Sequence, residues 1–149
     1  MKLEIIENEI RKIVNGTGKV FGNPVSDEMA FNYLTLWYFF LCNELRYKVN
    51  KKKIDEIDYR DLESYITDGA NDGGIDYVYL DDESTAKVVV VQSKYTETLD
   101  YNTIIAELKK MSNTIEDFSK VNTAHYNTNV KRELQNALDS LPDSQNTNV

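Results

Sequence analysis

Asp76, Gln92 and Lys94 are the residues whose types and spacing most directly suggest chemistry. Asp76 closes the run TDGANDGGID, which begins at Thr67. Beside Gly73 and Gly74 the backbone is free to turn tightly and to approach a ligand. Gln92 and Lys94 are two positions apart, so on a strand they share one face. If the segments before and after the intervening turn pair, Asp76 at the start of the first lies near the end of the second. A carboxylate, an amide oxygen and an ammonium then converge at one end of a sheet. A hard cation such as Mg²⁺ or Mn²⁺ takes oxygen ligands and uses one or two carboxylates together with substrate phosphate. Such an ion acidifies a bound water and polarises a phosphoryl group. The lysine would hold that water or stabilise developing charge on the phosphate.

Two strands and a set of helices must position these groups. Ile75 to Leu80 mixes β-branched and aromatic residues, which suit a pleated, half-buried surface. Val88 to Val91 is a short apolar run of buried-strand type, and Asp81 to Ser84 between them reads as a turn. Upstream, Leu3, Ile6, Ile10 and Ile13 recur at helical spacing and predict a helix over 2–14, ended by Asn15-Gly16-Thr17-Gly18. Ser26 is a good N-cap for a helix over about 27–46, apolar nearly all round and therefore core. A short helix is expected over 58–66, with Leu62, Tyr65 and Ile66 inward. Asn102 is expected to cap a helix reaching about Lys120, with Ile104, Leu108, Met111, Ile115 and Phe118 as its buried stripe. A last helix over about 128–141 carries Val130, Leu134, Leu138 and Leu141 and stops at Pro142. Residues 1–142 read as one domain and 143–149 as a tail or linker.

Taken together, Gly69-x-x-Asp72-x-Gly74-Ile75-Asp76 and, after a hairpin, Gln92-x-Lys94 resemble the PD-(D/E)xK nuclease superfamily. The likeness is closer to its Mrr-like branch, where Gln often replaces the acidic residue before x-Lys. It is closer still to the N-terminal region of abortive-infection phage-resistance proteins, through DGANDGGID and QSKY. These motifs span about a fifth of the chain. The resemblance implies an α/β, restriction-endonuclease-like core: a short mixed sheet carrying a catalytic hairpin, flanked by about four helices. It implies Asp76, Gln92 and Lys94 as the catalytic set, Asp76 and Gln92 as ligands of Mg²⁺ or Mn²⁺, and nucleic acid, DNA foremost, as substrate. Asp72 and Glu44 are further candidate ligands. Asp72 reads equally as an Asx turn that shapes the loop, and Glu44 as a solvated residue on a last helical turn. The superfamily core has more strands, and none is evident after Tyr95. The chain is therefore expected to be an N-terminal fragment, or to complete its sheet with a second copy or a further domain.

Charge bears on the same question. The net charge is −8, whereas non-specific DNA binders usually carry a basic footprint. From Asp55 to Glu83 there are eleven acidic residues and one basic, a net −10 concentrated around the candidate cation site. Lys51, Lys52 and Lys53 lie just before it, either tracking a phosphate backbone or forming a solvated loop. The competing class is a non-catalytic module of the same fold that binds a protein partner through its acidic surface. Cys42 stands alone, so neither a disulfide framework nor a thiolate metal site is available. With His125, the single histidine, it makes no convincing protease pair. The run Asp68 to Asp76 fails the EF-hand pattern, with Ala70 at the third position, and no GxxxxGK[ST] loop occurs. The longest apolar run, Leu34 to Cys42, is too short to span a bilayer, and a cytoplasmic location without membrane partners is expected.

Overall fold

A computed structural model describes residues 2–38, 58–81 and 87–142. Five helices and one two-stranded antiparallel sheet are found among them. They pack as two compact units, Met1–Ser64 with Ser93–Glu97, and Tyr65–Gln92 with Thr98–Val149.

The first unit is helical. Helix α1 (Lys2–Phe21) runs through the Asn15–Gly18 segment expected to end it. Tertiary packing explains this. A Cβ on Gly16 would lie 2.5 Å from the Tyr59 ring, so the glycine makes room for a buried aromatic. Thr17 is buried; its hydroxyl donates to Val14 O and accepts from Val25 N. The helix ends at Gly22 (φ +82°), whose N–H bonds Gly18 O. Ser26 caps α2 (Asp27–Leu36) as expected, accepting from Met29 N. Trp37 forms its C-cap, and residues 39–46 of that predicted helix lie outside the described residues. Asp58 caps the short α3 (Tyr59–Glu63). Ile10, Ile13, Tyr33, Leu36, Tyr59 and Leu62 form the buried interior of this unit.

The second unit holds β1 (Tyr77–Asp81), β2 (Lys87–Val91), α4 (Tyr101–Ser119) and α5 (Thr128–Asp139). The strands pair from Tyr77↔Val91 to Asp81↔Lys87. Alternation sends Val78, with Val88 and Val90, into a core of Ile75, Phe118, Val130, Leu134 and Ala137. Tyr79 turns the other way, toward the Tyr65 ring. Ile66 was expected in a helix; it instead bridges Tyr77, and Tyr65 O accepts from Val78 N. A hairpin with helices on one face has the support that two strands alone lack. The short mixed sheet implied by the resemblance is not seen among the described residues, where the two antiparallel strands are the whole sheet.

Asp100, not Asn102, caps α4, accepting from Thr103 N. Of its predicted stripe, Phe118 is buried and Met111 packs on the core, whereas Ile104, Leu108 and Ile115 are exposed. Nineteen residues make a helix about 28 Å long, longer than the five-residue strands beside it. Asn127 caps α5, accepting from Val130 N.

Candidate functional site

The run from Thr67 to Asp76 forms a loop closed on itself. Thr67 and Asp68 N–H both donate to Asp76 O, at 2.8 and 3.1 Å, and the Thr67 hydroxyl donates to Ile75 O. Asp72 turns the tip, accepting from Gly74 N at 2.7 Å and Gly69 N at 3.3 Å. The Asx-turn role expected as one alternative for Asp72 is thus present. Gly73 is required twice over. Its φ is +68°, and a Cβ there would lie 2.4 Å from the Thr114 hydroxyl. Thr114, on α4, donates to Gly73 O at 2.6 Å. Asn127 donates through Nδ2 to Thr67 O and Ala70 O, both at 3.1 Å, and its N–H bonds Asn71 O. Two helices therefore hold the loop.

The closed loop gathers three carboxylates. Asp68, Asp72 and Asp76 each place an oxygen within 4.8 Å of the others, with Asp76 buried and the other two half-buried. Ionised carboxylates at this spacing repel one another, and a cation relieves the repulsion. Asp68 escaped the sequence reading as a ligand. It lies eight residues before Asp76, and only the hydrogen bond from its N–H to Asp76 O shows the two ends of the loop to be adjacent.

Asp76 N–H donates to Val91 O at 2.8 Å, and Tyr77 also pairs with Val91. Two successive residues facing one is the arrangement of a β-bulge, which re-aims a side chain at a strand end. Gln92 follows Val91 directly. Its Oε1 is buried and, among the described residues, accepts no hydrogen bond. A buried acceptor without a donor is uncommon and calls for an explanation. The three carboxylates of Asp68, Asp72 and Asp76 make an all-oxygen donor set, the kind that hard divalent cations prefer.

Lys94 is exposed and belongs to Ser93–Glu97, which packs in the first unit, where Ser93 meets Thr35 and Tyr95 stacks near Phe31. Strand β2 ends at Val91, so the alternation that was to put Gln92 and Lys94 on one strand face does not extend to them. Glu44, Lys51, Lys52 and Lys53 lie outside the described residues. Among the described residues no helix is long and apolar enough to cross a membrane. No family model, no curated protein and no solved structure matches this chain.

Proposed function

We propose that this protein is a Mg²⁺- or Mn²⁺-dependent phosphodiester hydrolase with a restriction-endonuclease-like catalytic hairpin, cleaving DNA in the defence of a cell against phage. The observation that carries this reading is the meeting of Asp68, Asp72 and Asp76 in one loop, joined to a hairpin whose strand end leads into an unpartnered Gln92 oxygen. Asp76 and Gln92 would hold the ion, with Asp68 and Asp72 completing the acidic side. The ion would supply an acidified water and a polarised phosphoryl group. Lys94 would orient the attacking water or meet the charge growing on the phosphate.

The test is cleavage of plasmid, linear duplex and single-stranded DNA, and of RNA, with Mg²⁺, Mn²⁺ or EDTA. Asp76→Ala is expected to remove Mn²⁺ binding and cleavage together. Lys94→Ala is expected to keep Mn²⁺ binding and lose rate, because the ammonium acts on the nucleophile and not on the ion. Wild-type protein that cleaves none of these substrates would sink the reading. Cleavage surviving both substitutions would assign the activity elsewhere. The acidic segment from Asp55 to Glu83 favours a second reading, a non-catalytic module docking a basic protein surface. That reading gains if the wild type is inactive and binds basic peptides in a salt-sensitive way.

A further inference from the structure

We propose that the cleft between the glycine loop and α4 receives one unstacked nucleotide of the substrate, its base on the His125 ring and its phosphate against Lys110. The cleft has a volume of about 450 Å³ and is lined by Asp72, Gly73, Lys110, Asn113, His125 and Tyr126, among others. This size lies in the range of small-molecule sites, about 300–1,000 Å³. The inference rests on the phosphodiesterase reading, since Asp72 belongs both to the cleft and to the carboxylate cluster.

The aromatic platform is built in advance. His125 and Tyr126 have ring centroids 4.1 Å apart. Tyr126 is buried and donates to Asp117 Oδ2 at 2.6 Å, while His125 Nε2 lies 3.5 Å from the same oxygen. Tyr126 and Asp117 thus steady the His125 ring, yet its side chain remains 56% exposed. An exposed ring held from behind is what stacking of a base requires. Asn113 is exposed and offers both a donor and an acceptor to a base edge. The Lys110 side chain is 57% exposed, and its Nζ is 4.0 Å from Asp72 Oδ1, close enough to pair but too far to hydrogen-bond, so its protons can turn to a phosphate. A duplex keeps its bases stacked inward. The nucleotide that fits is single-stranded, or flipped out of a helix.

The test is binding of a labelled single-stranded oligonucleotide, and of a duplex of the same sequence, to the full chain with millimolar Ca²⁺ and again with EDTA. Cleavage kinetics with Mg²⁺ run alongside. Tighter binding of the single strand is expected. His125→Ala should weaken that binding about 5- to 10-fold, as loss of one base–aromatic stack does. His125→Phe should restore it, and Lys110→Ala should weaken it and flatten its salt dependence. Melting temperatures should show the variants folded, and in cleavage His125→Ala should raise KM more than it lowers kcat. Equal affinity for single strand and duplex, or a folded His125→Ala protein that binds like wild type, would overturn the proposal. So would His125→Phe failing to restore binding. Binding that behaves as expected without any cleavage keeps the cleft and discards the hydrolase. Cleavage with a KM indifferent to His125 keeps the hydrolase and discards the cleft.

Discussion

Gln92 gives the most direct test at the scale of a single residue. Leaving a buried acceptor without a donor costs about 1–3 kcal/mol. In EDTA, Gln92→Leu should therefore melt no lower than wild type and up to a few degrees higher. In Mn²⁺ the order should invert. An ion bound only by the folded state raises the wild-type melting temperature by mass action, and the leucine variant should lose part of that gain. Calorimetric Mn²⁺ titration of both proteins provides the independent check. A leucine variant that is destabilised in EDTA yet binds Mn²⁺ normally would make Gln92 a packing residue. Asp76 and Asp72 were legible at this scale because a glycine-rich loop beside a hairpin marks its acids. Asp68 was not, since its nearness to Asp76 depends on loop closure.

Elements carry contacts that override local propensity. Ala normally exceeds Gly in a helix by about 1 kcal/mol. At Gly16 in α1 the sign should reverse, because the new Cβ would fall 2.5 Å from the ring of buried Tyr59. Gly16→Ala is expected to lower urea-unfolding stability by about 1–3 kcal/mol, the range for overpacking a filled site. Gly16→Ala combined with Tyr59→Leu should recover part of the loss. At the start of α5, Asn127 has two tasks at once. Its Oδ1 caps the helix and its Nδ2 bridges Thr67 O and Ala70 O. Asp is as good a cap as Asn, so Asn127→Asp should be harmless if capping is all that matters. Here it would set a carboxylate against two carbonyl oxygens, and a loss of about 1–3 kcal/mol is expected. Mn²⁺ affinity should fall with it, since the same bonds shape the acidic loop.

At the scale of the whole molecule, two buried phenols contribute stability that is lost at alkaline pH. Burial, and secondarily the charge of Glu63, pushes the Tyr33 phenol from 10 up to about 12. Burial, with the hydrogen bond to Asp117 next, raises Tyr126 as well. A phenol with a higher pKa folded than unfolded favours folding while it stays protonated. This contribution is complete below pH 10 and is lost as the pH rises toward about 12. Two pH units on Tyr33 correspond to about 2–3 kcal/mol. Unfolding midpoints measured from pH 8 to 12 should fall above pH 10, and Tyr33→Phe should flatten that fall. A flat wild-type profile over this range would contradict the burial of Tyr33.

Sequence alone determined what depends on near neighbours along the chain. Ser26 at a helix start, the hairpin through Val78 and Val90, the stripe of Val130 and Leu134, and the turning role of Asp72 all follow from periodicity, capping and glycine freedom. Tertiary structure decided what depends on residues far apart. Helix α1 passes through two glycines because Tyr59, more than forty residues later, fills the space at Gly16. On α4 the core takes only Met111 and Phe118 of the predicted stripe, and Ile104, Leu108 and Ile115 stay exposed, a choice set by which residues of the second unit the helix meets. The third carboxylate, Asp68, joins the other two because Thr114 and Asn127, from helices that follow the hairpin, hold the loop shut around Gly73 and Ala70. Local pattern reports a residue's preferences, whereas a cluster of like charges exists only where distant hydrogen bonds hold the backbone together against their repulsion.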